Sequence, residues 1–126
     1  PRIHAGVLAD KGDPEHMDTL HTHTISPFDL ICVNLYDFAQ ALDQDLAEQE
    51  LIEAIDIGGP TLLRAGAKNF SNITVLPSPD VYSEFLADLA HNHNQVSLDF
   101  RRRMAARTFA LTSSYDQMIS RALGPN

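Results

Sequence analysis

The chain has 126 residues, of which 44% are hydrophobic and 21% charged, which is enough for one small domain of ordinary globular composition. Its 17 acidic residues against 9 basic ones give a formal net charge of −8, which argues against a nucleic-acid-binding surface of the electrostatic kind. No apolar run approaches the roughly 18 residues of a membrane span, so no membrane partner is expected.

The first third of the chain predicts one helix and one buried strand. Asp13 is placed to cap a helix over residues 14 to 23, with Pro14 at its first position. Residues 30 to 35 are apolar except for Asn34, which is typical of a parallel strand buried on both faces. Cys32 lies within this run, so we expect it to be a small buried side chain. A single cysteine excludes an internal disulfide and fits a reducing, cytoplasmic setting.

The rest of the chain predicts four helices and one more strand. Helical spacing covers residues 39 to 55, and a second helix restarts at Pro60 after Gly58-Gly59. Residues 73 to 76 predict a short strand, followed by helices that start near Ser78 and after Ser97. This alternation implies an α/β domain with a mainly parallel sheet. Two strands are too few for a parallel sheet that is buried on both faces, and the chain begins without methionine. We therefore expect a partial domain, completed by an upstream segment or a partner.

Three short stretches carry candidate site residues. Asn34 and Tyr36 point to the same side of an extended chain and offer hydrogen-bonding groups, although the same pattern suits a satisfied buried amide and an anchored phenol. Asp56 precedes two glycines that let a ligand approach the backbone, but an acid there is equally typical of a helix cap.

Lys68 follows a run of small residues that could lower its pKa, whereas a surface lysine in a last helical turn is the commoner case. Eight residues of straight helix from Pro60 to Lys68 span about 12 Å. Asp56 and Lys68 can share a ligand only if the glycines fold the acid back alongside the helix.

Other reactive groups form no convincing constellation. His21 and His23 lack a cysteine partner, so no metal site is predicted. Ser113 and Ser114 lack a nearby base. The basic run from Arg101 to Arg103 is interpreted as a solvated helix face, with an anion site as the alternative.

Four motifs in order resemble one known family, the IMP cyclohydrolase domain of the bifunctional purine-biosynthesis enzyme AICAR transformylase/IMP cyclohydrolase. They are "PRIHAGVLAD", "VNLY-F", "IDIGGPTLLRA-AKN" and "VSLDFRRRMAARTFA-T--YD". The resemblance implies a methylglyoxal-synthase-like three-layer α/β fold and closure of the purine ring of 5-formamidoimidazole-4-carboxamide ribotide to IMP. It also implies no metal or coenzyme, a homodimer, a nucleotide substrate and, in the whole enzyme, a transformylase domain.

The resemblance also implies roles for individual residues. Catalytic roles carry over to Lys68, Asp56, Tyr36 and Asn34, and nucleotide contacts to Val33, Asn34, Asp56, Ile57, Gly58 and Gly59. The family's phosphate-holding segments lie upstream of Pro1, so we expect this chain to carry part of a site and to lack activity alone.

Three departures from the family pattern, at Asp37, Gly66 and Leu111, keep an alternative open. In that alternative the chain is a non-catalytic nucleotide- or phosphometabolite-binding regulatory module of the same fold. Methylglyoxal synthase itself would have no reason to keep "IDIGG" and "AKN".

Overall fold

A computed structural model describes residues 1 to 124 of the chain. The described part contains seven α-helices, two β-strands and one short 3₁₀-helix over Pro79–Val81. The helices are α1 (Arg2–Leu8), α2 (Pro14–Thr22), α3 (Phe38–Asp43), α4 (Glu48–Glu53), α5 (Gly58–Lys68), α6 (Tyr82–His91) and α7 (Leu98–Leu123), and the strands are β1 (Leu30–Cys32) and β2 (Thr74–Leu76).

The two strands form a parallel pair, in register from Leu30 opposite Thr74 to Cys32 opposite Leu76. α5 lies in the connection between them and packs on both, so the unit is a strand–helix–strand crossover. All three residues of β2 are buried. The predicted α/β class with a parallel sheet is confirmed.

The prediction for the first strand was wrong in length and in burial. β1 ends at Cys32, and only Ile31 of its three residues is buried. Within residues 1 to 124 β1 pairs with β2 alone. Cys32, whose side chain lies on the opposite face of β1 from that of Ile31, is exposed rather than buried, and its Sγ lies 3.1 Å from the hydroxyl of Tyr82.

The core forms where α5, β2 and α7 meet. Leu63, Val75 and Phe100 are fully buried there, one from each element. Gly66 faces the sheet, because a Cβ built on it would lie 3.1 Å from Ile31 Cδ1 and 3.5 Å from Val75 Cβ. The absence of a side chain at this position brings α5 close to both strands.

The helix caps agree with the predictions from the sequence more closely than the helix lengths do. Asp13 and Ser97 cap α2 and α7 as predicted, by accepting bonds from the backbone N–H of Glu15 and Phe100. The single helix predicted over residues 39 to 55 is instead α3 and α4, because Asp45 between them has a φ of 49° and interrupts the helical path. The sequence also gave no indication of α1.

Asp37, one of the departures from the family pattern, caps α3. Its carboxylate accepts a hydrogen bond of 2.9 Å from the backbone N–H of Gln40. The acid therefore has a structural role at this position.

The arginines near the start of α7 are exposed except for the half-buried Arg101, which agrees with their interpretation as a solvated helix face, and several of them also contact other elements. Arg101 donates to the carbonyls of Phe70 and Ser71 beyond the end of α5. Arg103 pairs with Glu84 of α6, and Arg107 pairs with Asp80 in the 3₁₀-helix.

Over residues 1 to 124, none of the helices has the length and apolar character needed to cross a membrane. Gly124 is the C-cap of α7, whereas the predicted stop at Pro125 lies outside the described residues.

Candidate functional site

The carboxylate of Asp56 joins two of the stretches that the sequence singled out. Its Oδ1 accepts a hydrogen bond of 2.8 Å from the backbone N–H of Gly59, in the first turn of α5. Its Oδ2 accepts a longer bond of 3.3 Å from the backbone N–H of Tyr36. The carboxylate thus caps α5 and ties the segment after β1 to the start of that helix.

Gly59 is necessary for this arrangement. A Cβ built on Gly59 would lie 2.5 Å from Asp56 Oδ2, which is closer than real Cβ atoms approach, whereas a Cβ on Gly58 would have no heavy atom within 4 Å. The glycine pair therefore has two different uses: Gly59 makes room for the acid, and Gly58 leaves the adjacent surface open.

Tyr115 of α7 binds the backbone of Asp56. Its hydroxyl accepts a hydrogen bond of 2.8 Å from the backbone N–H of Asp56. Its ring is only 6% exposed and meets Phe38 in an edge-to-face contact with centroids 6.3 Å apart. Burial of the phenol raises the pKa of Tyr115, and the charge of Asp56 adds to that rise.

A groove of about 270 Å³ is lined by Tyr36 and Tyr115, two residues that hydrogen-bond to Asp56, whereas Asp56 itself is not among its lining residues. Asn34 and Tyr36 line one part of it, and Pro77, Leu111 and Tyr115 line another. The side chain of Tyr36 is 65% exposed, so its phenol is free to meet a ligand. Apolar walls with a few hydrogen-bonding groups are typical of a site for a flat, partly polar molecule.

Asn34 and the residues flanking Asp56 complete the surroundings. The Oδ1 of Asn34 accepts a bond of 3.4 Å from the hydroxyl of Tyr82. Ile57 exposes 75% of its surface next to Gly58. Val33, by contrast, packs against the core. A ligand in this groove would therefore contact Val33 through its backbone atoms.

Lys68 lies at the opposite end of α5 from Asp56. The helix runs from Gly58 to Lys68, a length of about 15 Å at the α-helical rise. Because Asp56 caps the N-terminus, the fold-back that would let one ligand touch both residues does not occur within the chain. The structure brings Asn34, Tyr36, Asp56, Ile57, Gly58 and Gly59 into one region and leaves Lys68 outside it.

Sequence reasoning missed Tyr115 as a member of this region. Tyr115 belongs to the fourth family motif, but no role was predicted for it, and it is 59 residues from Asp56 along the chain. Among residues 1 to 124, no group of three His, Cys, Asp or Glu side chains is arranged to hold a metal ion.

Comparison with known proteins gives matches to a family model and to curated relatives. The family model described as "AICARFT/IMPCHase bienzyme" matches residues 66 to 126. The "Bifunctional purine biosynthesis protein PurH" of Rippkaea orientalis is 50% identical over 121 residues, which cover 95% of this chain and 23% of the relative. The protein of the same name from Lactobacillus delbrueckii subsp. bulgaricus is 44% identical over 124 residues, or 98% of this chain and 24% of the relative.

A solved structure shares the fold. The crystal structure of ForH superposes with a TM-score of 0.76 at 26% identity, over 98% of this chain and 64% of that chain. The resemblance expected from the sequence is confirmed: the second half of the chain matches the AICARFT/IMPCHase bienzyme family model, and nearly the whole chain is similar to bifunctional purine biosynthesis proteins. The chain spans about a quarter of the length of the curated relatives that it matches.

Proposed function

We propose that this chain carries the base-binding part of an IMP cyclohydrolase site in purine biosynthesis. The substrate would be 5-formamidoimidazole-4-carboxamide ribotide, and the products IMP and water. The observation that best supports the proposal is the anchored carboxylate of Asp56, which accepts a hydrogen bond from the backbone N–H of Tyr36, a residue that lines the groove together with Asn34. The names of the relatives, bifunctional purine biosynthesis proteins, agree with this setting.

The reaction joins the carboxamide nitrogen to the formyl carbon of the same molecule. One C–N bond forms, the carboxamide and formamide nitrogens each lose a proton, and the formyl oxygen leaves as water with both protons. Because the two reacting groups belong to one molecule, holding them in contact geometry supplies much of the acceleration. No coenzyme takes part in these steps.

In the proposed mechanism Asp56 accepts the carboxamide proton. Its two bonds from backbone N–H groups hold the carboxylate in one orientation, which a general base requires. The phenol of Tyr36 and the amide of Asn34 donate to the formyl oxygen as it gains negative charge. Ile57 and Gly58 provide an open apolar surface for the face of the base, next to the carboxylate.

The catalytic role expected of Lys68 stays a prediction. Lys68 reaches the reacting atoms at Asp56 only from a second copy of the chain, because α5 separates the two residues within one copy. The predicted homodimer is one arrangement that brings a second Lys68. We also propose that the substrate phosphate is held by a part of the relatives outside the matched region.

A second candidate is a non-catalytic module that binds a nucleotide or phosphometabolite. One observation favours it: Asp56 already serves as the cap of α5, and Lys68 is remote from it. Both features are consistent with a groove that binds a ligand without catalysing a reaction.

The test follows conversion of the formamido ribotide to IMP by ultraviolet absorbance. It uses this chain alone and then with the preceding segment of the Rippkaea orientalis relative, and calorimetry records IMP binding in the same samples. Turnover in either sample supports the cyclohydrolase. IMP binding without turnover in both samples favours the binding module, and the absence of both turnover and binding contradicts both candidates.

A further inference from the structure

Tyr82, the first residue of α6, contacts two side chains of the segment that runs from β1 towards the groove. Its hydroxyl lies 3.4 Å from Oδ1 of Asn34 and 3.1 Å from Sγ of Cys32. Its ring packs against the hydrophobic core. The core therefore holds the ring, and the ring carries the hydroxyl to the side chain of Asn34, which is 48 residues away in the chain.

The protons on these three groups have one arrangement that satisfies both contacts. Oδ1 of Asn34 carries no proton, so the Tyr82 hydroxyl is the donor to it. A hydroxyl has a single proton, so the Tyr82 oxygen accepts in the other contact and the Cys32 thiol donates to it. The donors therefore run in one direction, from thiol to phenol to amide oxygen.

This order determines which end of the Asn34 amide is free. Its oxygen accepts the bond from Tyr82, whereas its Nδ2 makes no hydrogen bond within the described residues 1 to 124. An asparagine amide can turn by half a circle about its last bond and exchange its oxygen for its NH₂ group. The Tyr82 hydroxyl favours the orientation in which the NH₂ group is left for a ligand.

The free NH₂ group belongs to a side chain of the groove, because Asn34 and Tyr36 line it together. Tyr82 is not among the lining residues, so it acts on a ligand only through Asn34. A lining that offers the NH₂ of Asn34 and the phenol of Tyr36 is matched to an oxygen that gains negative charge. An amide oxygen turned to the same place would repel that oxygen.

We infer that Tyr82 is a positioning residue for the proposed ring closure, because it holds the Asn34 amide with its NH₂ group available to the formyl oxygen. The inference rests on the proposed function, in which Asn34 donates to this oxygen. Cys32 contributes to the same arrangement, since its thiol keeps the Tyr82 proton directed at Asn34.

The first test is Tyr82→Phe, which removes the hydroxyl and keeps the ring in the core. The side-chain amide NMR signals of Asn34 in the isotope-labelled chain report on the contact, because loss of a hydrogen bond at Oδ1 changes the shifts of the NH₂ group. Cys32→Ala should move the same signals less. Ser83→Ala is the matched control, since it removes an exposed hydroxyl from the next position of α6 and should leave these signals unchanged.

The second test measures rates in whichever assembly of the chain turns over the formamido ribotide. Tyr82→Phe should lower kcat about three- to tenfold, as expected for the loss of one hydrogen bond, with little change in KM. Ser83→Ala should change neither. In an Asn34→Ala background Tyr82→Phe should have no further effect on kcat, because its hydroxyl acts only through that amide.

Failure of this inference and failure of the proposed function give different results. Asn34 signals that respond to Tyr82→Phe no more than to Ser83→Ala would overturn the inference, and so would an undiminished effect of Tyr82→Phe on kcat in the Asn34→Ala background. Absence of turnover by the unchanged protein in every assembly would instead contradict the proposed function. The role of Tyr82 in ring closure would then fall with it, even if the Asn34 signals respond.

Discussion

The hydroxyl of Tyr115 accepts a hydrogen bond of 2.8 Å from the backbone N–H of Asp56, which is 59 residues away in the chain. This bond connects the last helix to the segment that enters α5. The same Asp56 presents its carboxylate to Tyr36 and Gly59. One tyrosine therefore positions the residue on which the proposed chemistry depends.

Replacement of Tyr115 by phenylalanine removes this acceptor and keeps the ring. The Asp56 N–H then loses its partner in a part-buried position, which should cost about 1 kcal/mol in the free energy of unfolding. Urea denaturation measures the difference. Tyr36→Phe is the control, because the exposed phenol of Tyr36 has no hydrogen-bond partner within the described part of the chain, and its midpoint should stay near that of the unchanged protein. Equal midpoints for the two variants would show that the Tyr115 bond adds no stability.

The two glycines at the start of α5 should respond oppositely to alanine. Gly59→Ala pushes a methyl group against Asp56 Oδ2 and displaces the cap, at a cost of about 1 kcal/mol or more. Gly58→Ala meets no atom within 4 Å and should be neutral or slightly stabilising. Thermal or urea unfolding of the pair tests this, and a tolerated Gly59→Ala would contradict the described geometry of Asp56.

At Gly66 helix propensity favours alanine, whereas the close contact with Ile31 opposes it. Alanine there should raise the free energy of unfolding by about 0.5–1 kcal/mol through helix propensity. The nearest obstacle is the terminal methyl of Ile31 at 3.1 Å, which can rotate away. Gly6→Ala is the contrast, because its Cβ would lie 2.9 Å from the backbone oxygen of Ser26, and it should be destabilising. Loss of stability in Gly66→Ala would mean that Ile31 is fixed in place.

Tyr115 should also make stability depend on alkaline pH. Burial raises the pKa of its phenol above the ordinary value of 10.0, so the folded protein holds this proton more tightly than the unfolded chain does. The contribution is complete below pH 10 and is lost as pH rises from there through the folded pKa. The urea midpoint should therefore fall between about pH 9 and about pH 11, and this fall should be smaller in Tyr115→Phe than in the unchanged protein. An equal fall in both would contradict this role for the phenol.

The sequence predicted those parts of the fold that depend on local signals. The caps at Asp13 and Ser97 require only a polar side chain next to a helical pattern, and both formed. The parallel pairing of β1 with β2 follows from two apolar runs separated by a helix, and it formed as well. The Asp45 break between α3 and α4 was missed, because a single residue at positive φ leaves no mark on hydrophobic spacing.

The candidate site was predictable only in part, for a related reason. Asn34, Tyr36, Asp56 and the glycine pair lie near each other because β1 and α5 are adjacent elements of one crossover. Tyr115 reaches them from a distant part of the chain, so its role depends on tertiary packing that no short pattern records. The exposure of Cys32 depends in the same way on which side chains pack on its face of β1.

The most direct measurement is the ring-closure rate of Asp56→Asn, in whichever assembly of the chain turns over the formamido ribotide. Asparagine keeps an oxygen for the Gly59 N–H but cannot accept the carboxamide proton. We predict a fall in kcat of about 10²–10⁴-fold with a smaller change in KM, while Asp18→Asn, an exposed acid on α2, leaves both unchanged. A kcat for Asp56→Asn within about threefold of the unchanged protein would contradict the role of this carboxylate as the base.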